Sequence, residues 1–109
     1  MGQETSQMFK VEWERLPWEE HMPNARCRVH RSGSRQMRLV ELFADFAETD
    51  WCEKGHIGMV LDGSVELAFD DEVVTYNAGD GLFIPSGQAG RHKCRSLSKV
   101  VRLLFVEDL

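Results

Sequence analysis

The side chains of this protein that could carry out chemistry are its thiols, imidazoles and carboxylates. The sequence contains four histidines and three cysteines, which are Cys27, Cys52 and Cys94. It also has an acidic run from Asp45 to Glu53, a composition typical of a solvated loop. Cysteine, histidine and aspartate are all competent ligands for Zn²⁺ and related first-row metals. The residue types therefore permit a metal site, provided that the strands and loops that carry them bring them together.

The cysteines also indicate a cellular compartment. Three is an odd number, so at least one thiol has no partner within the chain. The first ten residues are polar and lack the apolar segment of a secretory signal. We therefore expect reduced thiols and a cytoplasmic protein. No apolar stretch approaches the ~20 residues that a spanning helix needs, so no membrane association is expected.

Charge and motif content exclude several classes of function. The chain has 13 basic and 18 acidic residues and a formal net charge of -5. Proteins that bind nucleic acid usually present a basic surface because phosphate neutralisation supplies much of their affinity. The basic residues here are scattered among acidic ones, so we expect no nucleic-acid partner. The sequence also lacks a P-loop, a dinucleotide fingerprint and a G-x-S-x-G elbow.

Short β-branched and aromatic runs separated by turn signals predict an all-β fold. In residues 65–69 the large apolar residues fall on alternate positions, as in a half-buried strand. Asp62-Gly63 and Asp70-Asp71 predict tight hairpin turns joining three successive strands. Many short strands of this kind are typical of a sandwich or barrel. The predicted strands are Ala25–Arg31, Met37–Phe46, Ile57–Leu61, Val65–Phe69, Glu72–Tyr76, Gly81–Ile84, Arg91–Arg95 and Lys99–Val106.

Two motifs resemble those of a known family. Residues 79–87, Gly-Asp-Gly-Leu-Phe-Ile-Pro-Ser-Gly, match the cupin pattern G-D-x-x-x-x-P-x-G. Residues 59–63, Met-Val-Leu-Asp-Gly, are similar to the cupin Y-V-L-E-G. The chain thus resembles a small single-domain bacterial cupin of the cupin 2 conserved-barrel type. The resemblance implies a double-stranded β-helix, or jelly-roll barrel, formed by one domain over residues 1–109, with both motifs in 50–95.

The metal-binding positions of the family hold different residues in this chain. A typical metal-binding cupin has H-x-H-x(3 or 4)-E in its first motif and a His five residues after the Pro of the second. The first motif places Asp50 and Cys52 at the two His positions and His56 at the Glu position. The residue five after the Pro is Gly90, and His92 follows two residues later. The four usual ligand residues are therefore all replaced.

The resemblance implies a rebuilt metal site. Cys52, His56 and His92 would hold a divalent transition metal (Zn, Fe, Mn or Ni), with Asp50 as a fourth ligand. An alternative set of Asp50, His56 and His92 would mimic the two-histidine, one-carboxylate triad of Fe(II) sites. Strand parity supports an inward His92, because it alternates with basic residues that face water. Cys27 and Cys94 are interpreted as structural, and His21 and His30 as surface residues.

The function implied by the resemblance is binding of the metal and a small polar metabolite in the barrel. If the protein is an enzyme, it would be a metal-dependent isomerase, lyase, decarboxylase or dioxygenase, because fold alone does not select the reaction. The alternative is a metal-free ligand-binding or sensor module. We also expect a homodimer that pairs through sheet edges. A strand around Phe9–Trp13 would contribute to the dimer, and residues 1–12 are expected to form a segment that is flexible or exchanged between subunits.

Overall fold

A computed structural model of the protein describes residues 9–109 as eight strands and two short 3₁₀ turns. The turns are Trp13–Arg15 and Gln88–Gly90. All eight strands predicted from the sequence are present, with ends shifted by up to a few residues. The strands are β1 (Ala25–Ser32), β2 (Arg35–Phe43), β3 (His56–Asp62), β4 (Ser64–Ala68), β5 (Val73–Asn77), β6 (Gly81–Ile84), β7 (Lys93–Ser96) and β8 (Val100–Asp108).

The strands form two antiparallel sheets. One sheet has five strands in the order β1-β2-β8-β3-β6, and the other has three in the order β5-β4-β7. Strands distant in sequence lie side by side, as β3 and β8 do, which is the mark of a jelly roll rather than a meander. The predicted all-β jelly-roll fold is confirmed.

Period-two alternation places the core between the two sheets. On β8, Val101, Leu103 and Phe105 are buried, whereas the intervening residues are more exposed. On the smaller sheet Val65 and Leu67 of β4 face the same core. Side chains at alternate strand positions point to the same face, so each strand contributes one apolar row.

The turn at Asp62-Gly63 differs from the prediction. It does not close a hairpin, because β3 and β4 belong to different sheets; of the three successive strands β3, β4 and β5, only β4 and β5 pair. Gly63 has a φ of +77°, and a Cβ there would lie 2.6 Å from the carbonyl oxygen of Val100. Glycine is thus required at a corner where the chain leaves one sheet for the other.

The N-terminal strand predicted around Phe9–Trp13 is not formed. Residues 10–12 are irregular, and the 3₁₀ turn begins at Trp13. Further along, Glu19 and Cys27 exchange two backbone hydrogen bonds of 2.7 and 2.9 Å, which fix the lead-in segment against β1. The remainder of the segment predicted to be flexible or exchanged, residues 1–8, lies outside the described residues.

Within residues 9–109, the two helical turns are far too short to cross a membrane.

Candidate metal centre

An isolated antiparallel bridge places Cys52 beside His92. The backbone N–H of Cys52 donates to the carbonyl of His92 at 2.8 Å, and the N–H of His92 donates to the carbonyl of Cys52 at 2.9 Å. Residues directly opposite one another on an antiparallel pair project to the same face. The bridge therefore brings a thiol and an imidazole together from segments forty residues apart in the chain.

His56 approaches the same point from the larger sheet. It is the first residue of β3 and pairs with Ile84 of β6. Its ring stacks on Phe105 at a centroid distance of 4.5 Å and lies 5.2 Å from the ring of His92. The donor atoms of Cys52, His56 and His92 all lie within 4.8 Å of one another. The structure thus brings together three of the four residues that the sequence analysis selected.

Both imidazoles have a fixed orientation. Nδ1 of His56 lies 3.0 Å from Oε2 of Glu107, and Nδ1 of His92 lies 2.9 Å from the carbonyl oxygen of Gly90. A carbonyl or carboxylate oxygen can only accept, so each Nδ1 carries the proton and donates it. In the neutral form of each ring the lone pair is then on Nε2, the arrangement that metal-binding histidines commonly show.

Glu107 is a functional residue that the sequence analysis missed. Its carboxylate accepts hydrogen bonds from Arg38 at 2.6 and 2.7 Å and from Gln36 at 2.9 Å, in addition to the contact with His56. Burial alone would raise the pKa of this carboxyl. The hydrogen bonds from His56, Arg38 and Gln36 outweigh burial and hold the pKa of Glu107 well below its usual range. The group is therefore a buried anion at neutral pH.

A detectable signal for Glu107 existed in the sequence. Glu107 lies two residues after Phe105, so it falls on the same inward-facing side of β8 as the buried Val101, Leu103 and Phe105. The predicted strand ended at Val106 and so left Glu107 out. An inward-facing glutamate at the end of an apolar row indicates a buried ion pair, because charges are seldom buried alone.

Gly90 explains why His92, two residues later, reaches the cluster. The 3₁₀ turn Gln88–Gly90 lengthens the loop after β6. Gly90 is buried, and a Cβ there would lie 2.6 Å from the carbonyl oxygen of Pro85. The position that usually bears the histidine thus supplies a backbone acceptor, and the side chain of His92, 1% exposed, projects inward.

Comparison with known proteins bears on the family and the fold. The cupin domain model matches residues 51–107, more than half of the chain. The protein belongs to the cupin family. No curated protein matches the sequence.

Solved structures from several organisms share the fold. A cupin-2 domain containing protein from Shewanella frigidimarina is 21% identical, with a TM-score of 0.62 over 100% of this chain and 93% of that one. The polyketide cyclase RemF from Streptomyces resistomycificus is 19% identical, with a TM-score of 0.75 over 91% and 78%. A cupin-superfamily sugar phosphate isomerase from Silicibacter pomeroyi is 16% identical, with a TM-score of 0.72 over 89% and 73%. Identities this low establish the fold alone.

Asp50, the fourth predicted ligand, is exposed and lies outside the cluster of this cupin. The alternative set of Asp50, His56 and His92 is therefore not assembled in the structure. Trp51 lies on the outer side, with its ring 4.5 Å from the guanidinium of Arg91 and 4.8 Å from the ammonium of Lys93. This placement agrees with the alternation along the strand, from which His92 was predicted to point inward and its basic neighbours outward.

The remaining cysteines and histidines lie outside the cluster. Cys27 is buried in the core, and burial together with nearby Glu48 raises the pKa of the Cys94 thiol to about 12. Cys94 is thus a neutral thiol at physiological pH. His21 is exposed, and His30 is half-buried on β1.

The cluster opens into a cavity between the two sheets of the cupin. Its volume is about 270 Å³, and Cys52, His56 and His92 form part of its wall. Most of the remaining wall is aliphatic or aromatic. The principal apolar residues are Val40, Leu42, Leu67, Leu82, Leu103 and Phe105. A small molecule in this cavity would lie directly against the three donor atoms.

Proposed function

We propose that this cupin binds a divalent transition metal through Sγ of Cys52 and Nε2 of His56 and His92, with a small-molecule ligand in the adjoining cavity. The observation that carries the proposal is that Cys52, His56 and His92 each place a potential ligand atom within 4.8 Å of the other two. Three protein ligands leave a coordination position for a small molecule. When bound, the metal would polarise a carbonyl or carboxylate oxygen as a Lewis acid, or activate dioxygen.

The donor set suits such a metal. Two imidazoles and a thiolate are preferred by Zn²⁺ and related metals, whereas Mg²⁺ and Ca²⁺ prefer oxygen. Glu107 accepts a hydrogen bond from Nδ1 of His56, and the carbonyl of Gly90 accepts one from Nδ1 of His92, so each ring is held with Nε2 available to a metal. The stacked ring of Phe105 restrains His56 further.

If the protein is an enzyme, the classes to screen are metal-dependent isomerase, lyase, decarboxylase and dioxygenase. The cupin fold accommodates many chemistries, so the reaction must be selected by the site. Two of the structures with this fold are named as a cyclase and a sugar phosphate isomerase.

Elemental analysis with matched variants tests the metal site. We expect close to one metal ion per chain in the parent protein after purification without chelator, and loss of that metal in Cys52→Ala and His92→Ala. Cys94→Ala and Asp50→Ala are the controls, since one removes a cavity thiol outside the cluster and the other the exposed carboxylate. Both should retain the metal. A parent that stays empty after reloading with Zn²⁺, Fe²⁺, Mn²⁺ and Ni²⁺ would contradict the proposal.

The second candidate is a metal-free ligand-binding or sensor module. The packing of His92 favours it, because the ring is buried between His56 and Phe69 at 5.2 and 6.2 Å, as a core histidine would be. A protein that binds small molecules in the cavity with equal affinity before and after chelator treatment would support this reading.

We further propose that the protein is a homodimer. The support is an apolar strip on the outer face of the larger sheet, where exposed Ile57 lies between Phe83 and Val106 in the pairing register. Met59, on the same face, lies beside Leu104. Two copies facing each other across a two-fold axis would cover the same strip on each subunit. The contact would then involve a sheet face next to edge strand β6, rather than the N-terminal strand expected from the sequence.

The three cysteines support a reducing, cytoplasmic setting for this dimer. Cys27, Cys52 and Cys94 are all free thiols in the structure. Free thiols are usual where glutathione and thioredoxin keep cysteines reduced.

A further inference from the structure

The cavity wall away from the donor cluster offers few hydrogen bonds to a ligand. Few of its groups are polar, and Oε1 of the Glu48 carboxylate already accepts the backbone N–H of Cys94 at 2.9 Å. At the rim, Arg26 donates to Glu41 at 2.8 Å, and Glu19 lies 3.0 Å from His21. A hydroxyl buried against this wall would lose its hydrogen bonds to water without replacement. The wall therefore disfavours a polyhydroxylated body such as that of a sugar.

The aliphatic residues of the wall favour the opposite kind of body. Val40 and Leu42 on β2, Leu82 on β6 and Leu103 on β8 face the cavity from one sheet, and Leu67 on β4 faces it from the other. Hydrocarbon placed between them would be removed from water on both of its sides. Burial of this kind contributes about 0.8 kcal/mol per methylene, which corresponds to a three- to fourfold gain in affinity.

The charge beside the donor cluster favours an anionic head. The buried Glu107 carboxylate is balanced by the guanidinium of Arg38. Lys54 lies at the rim with half of its side chain exposed, and its ammonium is 3.7 Å from Glu107. A divalent metal on the Cys52 thiolate adds further positive charge. Lys54 and a bound metal thus supply positive charge beside the donors, and a carboxylate there would be both coordinated and electrostatically favoured.

We infer that the ligand of this cupin is a monocarboxylate with a hydrocarbon body, its head at the metal beside Lys54 and its body among the leucines and valines of the wall. The position of the head rests on the proposed metal site, whereas the apolar body rests on the cavity wall alone. The inference replaces the small polar metabolite expected from the sequence with an amphipathic one.

Calorimetric titration with simple carboxylates tests both parts. The Zn²⁺-loaded and metal-free proteins are each titrated with acetate, butanoate, hexanoate and octanoate. We expect affinity to rise roughly threefold per added methylene until the cavity is filled. The matched probe 6-hydroxyhexanoate should bind about tenfold more weakly than hexanoate, because its terminal hydroxyl meets an apolar wall. Lys54→Gln should weaken hexanoate several-fold, whereas Lys99→Gln, an exposed lysine outside the cavity, should have no effect.

The outcomes separate this inference from the proposed function. Affinity that is independent of chain length in a protein that holds zinc would overturn the apolar body and leave the metal site standing. A rise with chain length in a protein that holds no metal would overturn the metal-bound head and retain the apolar body. Equal binding of hexanoate and 6-hydroxyhexanoate would also contradict the inference.

Discussion

At the scale of single residues, Glu107 orients one of the two clustered histidines, His56. Its carboxylate is buried, yet it accepts hydrogen bonds from His56, Arg38 and Gln36. With it in place, His56 presents Nε2 to the cavity and Arg38 is neutralised. A change at this position therefore affects both stability and ligand geometry.

Replacement of Glu107 by glutamine should lower the unfolding free energy of the metal-free protein by about 3 kcal/mol at pH 7, because Arg38, whose side chain is only 22% exposed, loses its counter-charge. Urea denaturation, monitored by far-ultraviolet circular dichroism, measures this difference in unfolding free energy. Asp108→Asn is the matched control. That carboxylate also pairs with an arginine, Arg35, but both side chains are exposed, so the change should be about 1 kcal/mol or less.

The same comparison has a defined pH dependence. The folded state holds the pKa of Glu107 below its ordinary value of 4.5, so the ionised group stabilises the fold at every pH above that value. The stabilisation declines as pH falls from 4.5 towards the lower folded-state pKa. The difference between the parent protein and Glu107→Gln should therefore be largest near pH 7 and smaller at pH 3. A difference that grows on acidification would contradict the charge assigned to Glu107.

At the scale of elements, the loop between β6 and β7 fixes where the second histidine lies. Gly90→Ala would place a Cβ against the carbonyl of Pro85 and displace the carbonyl that orients His92. We expect zinc affinity, measured by competition with a chromophoric chelator, to fall about 10-fold or more. In Gly81→Ala the new Cβ meets its nearest neighbour at 3.7 Å, an ordinary contact, so affinity should be unchanged. Equal zinc affinity in both variants would show that the loop does not position His92.

Strands were largely predictable from the sequence, whereas their pairing was less so. Alternation within β4 and the glycine and proline around β6 are local signals, so these strands were predicted close to their observed bounds. The corner at Gly63 was predicted as a hairpin, because a tight turn looks the same locally whether the next strand pairs or changes sheet. The segment Phe9–Trp13 alternates between apolar and charged residues as a strand would, yet the structure forms no strand there, so local alternation alone was misleading.

The candidate site was predictable only where family spacing covered it. Cys52, His56 and His92 fall at or near motif positions, and the structure brings them together. The partners of Glu107 lie 51 to 71 residues away from it in sequence. Contacts this distant arise from the β2-β8 and β3-β8 pairings, which the sequence does not specify locally.

At the scale of the whole molecule, the exposed apolar strip on the larger sheet predicts self-association. Phe83 is 82% exposed, and Phe83→Glu would place a charge in the proposed dimer contact. Light scattering should give twice the 12.5 kDa chain mass for the parent and the chain mass for the variant. Val73→Glu, at an apolar residue on the smaller sheet that is 61% exposed, should remain dimeric. A monomeric parent at micromolar concentration would contradict the dimer.

The central claim is that one thiolate and two imidazoles of this cupin hold a metal together. X-ray absorption spectroscopy of the zinc-loaded protein tests it most directly, because sulfur and nitrogen ligands scatter at different distances. We predict one sulfur at about 2.3 Å and nitrogen or oxygen ligands at about 2.0–2.1 Å, with the sulfur lost in Cys52→Ala. A parent spectrum with nitrogen and oxygen ligands alone would contradict the site proposed for Cys52, His56 and His92.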